Sequence, residues 1–498
     1  MTTNFVSSDA FQFLEMGHNF FLHGQFQSDY GVVPSWLQSP GFPVFTGLFS
    51  LFLPMKQAGI ISTELAFLVV LIILGILLRK IFDSNYALFG ITVFSILPIN
   101  LYINGRILTE SLFLVFNLSV FTLLLYKIFG YLENNYKSIL IISVLTILLF
   151  FTRVEGILYV ILLLILIPLL FDFRKTFLYL FLVIVAFSLY GYYSLTTCGS
   201  FNPIPKISYN VRLGTAVRNY VNDDKSSKSI DDLQRISWYA LDENSNDLYR
   251  NKIMDNQYYD SLKSVTPAHP FSISDIKILN NLRETAAFFF QNNEFPIVFS
   301  ILVVAGAFFS WYDNRKILAL ILLWILPSLY FLISHIEVRF LYIFIPYFII
   351  LIIFSVRRLA KMFNFNIVSS VIILLIILNS INPYYEYYKI QKENSVYYDL
   401  GKEMKNSLPK NFKFCVGIPH IAFWGEFKYI KLPIVKKEEH LIKYLNKNQV
   451  SYILLGDEVY SRKSYLELYE QENDLYFMLD RSFIVKNKIF KLFKIRTL

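Results

Sequence analysis

Long apolar runs alternate with short polar turns along most of this 498-residue chain. Ten runs stand out, at roughly 59–78, 86–103, 107–126, 138–151, 157–171, 176–195, 295–311, 317–333, 340–356 and 367–381. Most reach the ~17 residues needed to cross hydrocarbon, so each predicts a membrane-spanning helix. Runs 138–151 and 157–171 are short enough to be halves of one helix. Merging them would move Arg174 and Lys175 to the opposite side from the other basic turns, so two helices are expected.

The turns between the runs sort by charge. Alternate turns hold Arg79 and Lys80, Lys127 and Lys137, Arg174 and Lys175, Arg315 and Lys316, and Arg357, Arg358 and Lys361. The other short turns hold Arg106, Arg153 and Arg339, accompanied by Glu110, Glu155, His335 and Glu337. A cytoplasmic excess of Lys and Arg sets orientation, so the first group faces the cytoplasm and the second faces out. Ten crossings then leave both termini outside. Met1 leads straight into polar MTTNFVSSDA with no signal peptide, which implies a further upstream helix and a total of about 10–11.

Three regions lie outside the bilayer, all on the outer side. Residues 1–58 form a first outer loop. Asp9 reads there as a helix N-cap with Gln12 three residues on, and Gly24 suits the position just past the helix end, predicting a helix from about 10 to 23. Its Phe11, Leu14, His18 and Phe21 follow helical spacing, and the proline-broken GFPVFTGLFSLFLP also suits an interfacial segment. The membrane core spans 59–382 and includes a long outer loop, 196–294, with a polar middle, NDDKSSKSIDDLQR. Loops of that length are commonly functional.

From 383 to 498 the composition becomes that of a soluble α/β domain. KFCVGI, KYIKLPIV and VSYILLG predict strands, KKEEHLIKYLNKN and SRKSYLELYEQ predict helices, and FIVKN with IFKLFKIR predicts a closing hairpin. No GxGxxG or GxxxxGK[ST] run marks a nucleotide site.

Composition agrees with a polytopic membrane protein: 55% hydrophobic, 18% aromatic and only 17% charged. The net charge of +9 suggests nucleic acid less than anionic lipid, because the eleven cytoplasmic-side basic residues suit lipid headgroups. Cys198 and Cys415 are far apart and show no metal-ligand spacing.

Each outward polar group has a plain structural explanation. Asp9 serves as a cap; Arg106 and Glu110, four apart, form a helical ion pair; Arg153 and Glu155 form a pair within a tight turn. His335, Glu337 and Arg339 alternate, so extended backbone would aim all three the same way. Jointly the pattern says more. Charges near hydrocarbon are costly and mark sites, and these gather on one face. A cleft there offers carboxylates as general bases and arginines as phosphate ligands, and opens sideways to lipid.

The segments SSDAFQFLEMGHNFFLHGQF, SPGFPVF, RILTESLFLVF, TRVEGILYV and SHIEVRFLYIFIPYF, in that order, resemble the GT-C glycosyltransferases. Within them the chain looks like family 39, which includes dolichyl-phosphate-mannose protein mannosyltransferases and lipid A aminoarabinose transferases. The likeness runs from about 5 to 356, and the tail resembles the α/β extension of many prokaryotic members. It implies transfer of a sugar from a polyprenyl-phosphate carrier to a protein, lipid or glycan acceptor on the outer face of the plasma membrane, with inversion. An outward site needs a donor that crosses the membrane, which accounts for the missing nucleotide motif.

By the same resemblance Asp9 matches the aspartate proposed to deprotonate the acceptor. Glu110 matches an acidic position that lines the site or helps bind a metal, and Arg153 and Arg339 match basic positions near the carrier phosphate. Arg106 and Glu155 join the substrate-binding set. His335 and Glu337 are open between orientation and metal binding, so a divalent ion held by Glu110 and His335 is one expectation. Some relatives carry Asp-Glu followed by Arg-Tyr in the first loop, whereas here Asp9 precedes Ala10, Phe11 and Gln12, which leaves the acceptor class open. The rival classes are a transporter or flippase of polyprenyl-linked sugars, a lipid-pyrophosphate-dependent polymerase or ligase, and an envelope scaffold. Against the transporter stand the lack of an internal repeat and of paired broken helices.

Overall fold

In the computed structural model the described residues are 8–28, 30, 37–199, 201–206, 241–242, 247–248, 282–287, 295–329, 338–409, 413–435, 438–456, 468 and 476–496. His335, Glu337, the NDDKSSKSIDDLQR stretch and nearly all of SRKSYLELYEQ lie outside them.

The first loop folds into α1 (Ser8–His23) and α2 (Gly41–Ser50). Gly24 follows α1 with φ 67°, the left-handed turn that ends a helix without a Cβ penalty. Asp9 stands inside the first turn of a helix that already begins at Ser8, so the expected capping role is corrected: its carboxylate projects from the helix instead of closing its end.

The membrane part comprises α3 (Met55–Ile81), α4 (Ser84–Ser95), α5 (Pro98–Asn104), α6 (Glu110–Ile128), α7 (Tyr136–Thr152), α8 (Gly156–Leu170), α9 (Phe173–Cys198), α10 (Ile297–Asp313), α11 (Arg315–Ile325), α12 (Ile345–Ala360) and α13 (Phe365–Ser407). Among the described residues five helices are long and apolar enough to cross a membrane, or six if the bent pair α4–α5 is one span; α7, α8 and α10 are shorter apolar helices. The chain is an integral membrane protein.

The run 86–103 is not one straight helix. Its two halves meet at 58° just before Pro98, which has no backbone N–H to donate; the Asn100 side chain bonds the freed Phe94 carbonyl. The paired runs 138–151 and 157–171 are two helices, separated at Arg153–Glu155.

Core and lipid faces follow from which apolar side chains are covered. Val70, Leu74, Phe121, Trp324, Tyr347 and Ile353 are fully buried, while Leu68, Ile72, Phe177, Ile184 and Leu374 stay exposed on helices that are apolar all round, the signature of a lipid-facing surface. The span Arg339–Ala360 is the most enclosed, 89% buried. Inside the bundle, Trp324 Nε1 donates to Asn117 Oδ1 (3.1 Å) and to the Tyr347 hydroxyl (3.0 Å), and Tyr159 bonds Ser328 at 2.9 Å. These contacts knit α6, α8, α11 and α12 together. At one end of the bundle Lys80 lies over Tyr131, Lys127 over Phe171 and Lys175 over Tyr136, which gathers the basic turns on one side.

A 43-residue helix, α13, carries the chain across residue 383 and on to Ser407, about 65 Å by helical rise, roughly twice the hydrocarbon thickness. It leads into a five-stranded sheet of order β4-β3-β5-β7-β6, built from β3 (Lys413–Val416), β4 (Lys428–Lys431), β5 (Tyr452–Gly456), β6 (Phe477–Val485) and β7 (Lys488–Ile495). A separate short pair, β1 (Leu241–Asp242) and β2 (Asp247–Leu248), comes from the long loop. β3 pairs parallel with β4 and β5, whereas β5–β7 and β6–β7 are antiparallel. Helices α14 (Pro419–Gly425) and α15 (Glu438–Lys447) complete the α/β unit.

That unit packs directly on the first loop. Phe11, fully buried, meets Phe423 (4.3 Å), His420 (4.8 Å) and Trp424 (6.2 Å) of α14, and the Tyr30 hydroxyl donates to the Phe427 carbonyl. The helix bearing Asp9 is thus held between the membrane bundle and the sheet domain.

Candidate functional site

Three of the sequence-selected elements converge at the ends of the helices opposite the basic turns. Glu110 is the first residue of α6, Arg153 follows the last residue of α7, and Arg339 lies in the helical turn Val338–Leu341 that leads into α12. The Arg153 backbone is extended (φ −149°, ψ 141°), so its side chain leaves the helix end and turns across the bundle.

Arg153 engages four of its five N–H groups. Nη1 bonds the Glu110 carboxylate and donates to Thr109 Oγ1 (3.2 Å), while Nε and Nη2 donate to the two oxygens of Glu155 at 3.3 and 3.2 Å. The Arg153 and Glu110 side chains are 9% and 1% exposed. Breaking such a pair would strand a buried charge. Burial alone would raise the Glu155 pKa, but Arg153 and then Lys206 outweigh it and hold the carboxyl at about 2.

Arg339 joins the second carboxylate of the cluster. Its Nη1 stands 3.4 Å from Asp9 Oδ2 and its Nε 3.9 Å from Glu110 Oε1. The guanidinium carbons of Arg339 (5.3 Å) and Arg153 (5.5 Å) both lie over the Phe340 ring, whose face attracts cations. The chain of contacts therefore reads Asp9, Arg339, Glu110, Arg153, Glu155, with alternating sign.

Arg106 is placed differently. Ile107 has φ 55°, so the segment between α5 and α6 is not helical, and the four-residue spacing to Glu110 does not put the two on one helix face. The Arg106 guanidinium stacks 3.9 Å over Tyr102 and donates to its hydroxyl at 2.9 Å.

Two residues not singled out from the sequence complete the site. Lys206 Nζ donates to Gln38 Oε1 (3.4 Å), and Gln38 Nε2 donates to Gln12 Oε1 (3.0 Å), one helical turn beyond Asp9. Lys206 feels Glu155, Arg153, Asp9 and Arg339 electrostatically, which brings the long loop into the same cluster. Its sequence signal was weak: a lone lysine after NPIP. Thr109 and Phe340 were equally silent, because their roles depend on helices far apart in sequence.

No three of His, Cys, Asp or Glu come together as a metal-binding set among the described residues. Glu110 already faces two guanidinium groups, so a divalent ion there would have to displace them.

No protein-family model and no curated protein matches the sequence. Solved structures do match in shape. The apo oligosaccharyltransferase of Archaeoglobus fulgidus aligns at TM-score 0.56 and 11% identity, over 95% of this chain and 69% of that one. The chain shares the fold of that oligosaccharyltransferase. The oligosaccharyltransferase AglB from Archaeoglobus fulgidus, in complex with an inhibitory peptide and a dolichol-phosphate, aligns at TM-score 0.54 and 12% identity over 95% of this chain and 69% of its own. ArnT from Cupriavidus metallidurans bound to undecaprenyl phosphate aligns at TM-score 0.43 and 10% identity, over 99% of this chain and 94% of that one. On this fold the alternating charge chain sits at helix ends of the bundle, beside the helix that docks on the α/β unit.

Proposed function

We propose that this chain is an inverting membrane glycosyltransferase that moves a sugar from a polyprenyl-phosphate donor to an acceptor hydroxyl at the outer membrane face. The observation that carries the reading is the contrast between the carboxylates of one cluster. Glu110 is 1% exposed and clamped by Arg153, Glu155 is 20% exposed and held bidentately, whereas Asp9 is 37% exposed and touches Arg339 at only 3.4 Å. Asp9 is the carboxylate open to an incoming hydroxyl. The dolichol-phosphate held by a protein of the same fold supports the class of donor.

In the proposed reaction the acceptor oxygen attacks the anomeric carbon from the face opposite the phosphate, and its proton passes to Asp9. The bond from the anomeric carbon to the phosphate oxygen breaks, and its electron pair leaves with the phosphate. A guanidinium beside that oxygen stabilises the charge as it develops, and Arg339 is the arginine of the cluster with the longer contacts. Arg153, Glu110 and Glu155 act as the rigid base that aims Arg339 and Asp9.

Purified protein in lipid, given a polyprenyl-phosphate sugar and a nucleotide sugar in parallel, should consume only the lipid donor. Turnover of the nucleotide sugar would overturn the reading. Lipid movement across the bilayer without a new glycosidic bond would favour a flippase.

A further inference from the structure

The basic end of the bundle, away from Asp9, carries a charge cluster that the proposed reaction leaves unused. Neighbouring helices α6, α7 and α9 bring Lys127, Lys137, Arg174 and Lys175 there. Lys175 is a buried cation, only 8% exposed. One Asp172 oxygen pairs with its ammonium, and the other caps α9 by accepting from the Lys175 backbone N–H at 3.1 Å. The same ammonium stands 5.5 Å from the centre of the Tyr136 ring, next in sequence to Lys137. Lys127 lies 4.8 Å over Phe171 and feels Lys175 as a like charge and Asp172 as an opposite one. Two cations therefore face one acid, and the aromatic rings hold them without neutralising them. Lys127, Lys137 and Arg174 form no ion pair among the described residues.

Each of the two exposed cations heads an apolar stripe. On α7, Lys137 is followed at helical spacing by exposed Leu140, Val144 and Leu148. On α9, Arg174 is followed in the same way by exposed Phe177, Phe181 and Ile184. The two helices pack on one another, so the stripes run side by side down the lipid-facing surface from one basic head. Paired apolar tracks under a cluster of cations complement an amphiphile with acyl chains and an anionic head.

We infer that Lys137, Arg174 and Lys175, with Lys127 adding to the field, bind the headgroup phosphate of an anionic phospholipid in the leaflet at the basic end of the bundle. Its acyl chains lie along the exposed stripes of α7 and α9. Asp172 neutralises the buried Lys175 while the headgroup is absent and competes with it when the headgroup arrives. The site stands at the far end of the helices from Asp9 and Arg339, so it needs no part of the transferase reading.

The purified full chain in neutral detergent can be titrated with phosphatidylglycerol or phosphatidylcholine, and the bound lipid counted by native mass spectrometry. Phosphatidylglycerol should bind the wild type about tenfold or more tighter than phosphatidylcholine. Lys137→Gln with Arg174→Gln should weaken it by about 25-fold, roughly fivefold for each surface cation. Arg315→Gln with Lys316→Gln removes the same charge from a different basic turn and should leave the affinity close to wild type. Asp172→Asn is the deciding variant. It keeps an oxygen to cap α9 but frees the Lys175 ammonium, so phosphatidylglycerol should bind about fivefold tighter. A purely structural Asp172 gives no such gain, and unchanged affinity in Asp172→Asn would overturn the inference. Equal losses from the two double variants would reduce the site to diffuse attraction and overturn it as well, as would phosphatidylcholine binding as tightly as phosphatidylglycerol. Displacement of the lipid by inorganic phosphate would mark a free-anion site and overturn the lipid assignment. Lys137 and Arg174 are exposed, so their variants should unfold at the wild-type temperature.

Discussion

Arg339 reaches Asp9 across 330 residues of sequence, placing its Nη1 3.4 Å from the Asp9 carboxylate. Through this contact the most enclosed span of the bundle meets a helix that is docked, at Phe11, against the α/β unit. Three structural layers thus meet within two residues of one carboxylate. The contact is partly exposed and long, which leaves Asp9 open to exchange Arg339 for a substrate.

Asp9→Asn is expected to fold as the wild type does. An exposed ion pair contributes about 0–1 kcal/mol, and the substitution keeps size and polarity. If Asp9 is the base, turnover should fall by about 10²-fold or more while donor affinity is retained. Near-normal turnover would send the search for a base to Glu15, Glu110 or Glu337. Of these, Glu15 accepts a 2.6 Å hydrogen bond from Ser28, which suits a structural tie.

Arg153→Met should behave as a folding defect. Removing the guanidinium leaves Glu110 buried without its partner, which costs about 3–5 kcal/mol. Adding Glu110→Gln removes the stranded charge and should recover much of the loss, with a coupling of about 0.5–3 kcal/mol. Thermal unfolding of the four proteins in detergent gives the cycle. Strict additivity would mean that the pair seen here is not formed in solution.

Much of the bundle was legible because its signals are local. Apolar runs marked the helices, Gly24 marked the end of α1, and the strands of the tail showed as short β-branched runs bounded by polar turns. The Arg153–Glu155 pair was also within reach, since both sit in one tight turn. What failed was inference about geometry across a break. Arg106 and Glu110 looked like a helical pair until the left-handed backbone at Ile107 separated them, and Pro98 broke a run that hydropathy alone draws as continuous. Asp9–Arg339, Arg153–Glu110 and Lys206–Gln38 link residues 330, 43 and 168 apart, and no periodicity carries such information.

Glu155 gives a prediction for acid. Its folded pKa of about 2 lies below the usual 4.5, so its contribution to stability is complete above about pH 4.5 and is lost as pH falls toward 2. The wild type should therefore lose stability over that window faster than Glu155→Gln, and the two should run parallel above it. Equal acid slopes would show that Arg153 and Lys206 do not hold the carboxylate as described.

The close approach of α1 to α2 provides a test of whether position, rather than chemistry alone, governs Asp9. A Cβ on Gly17 would stand 2.1 Å from the Pro43 carbonyl oxygen and 2.8 Å from the Gly47 nitrogen, both backbone atoms that cannot rotate away. Gly17→Ala must push α1 off α2, at a cost of about 1–3 kcal/mol for overpacking. The same push moves Asp9, eight residues up the helix, relative to Arg339. Misplacement by about 1 Å is enough to cost about 10²-fold in rate. Gly24→Ala is the control: its Cβ meets nothing within 4 Å, yet φ of +67° strains it, so it should lose about 1–2 kcal/mol with turnover largely kept. Comparing kcat at matched folded fraction separates the two. If both variants lose activity only in proportion to stability, the α1–α2 contact is a scaffold and does not aim the carboxylate.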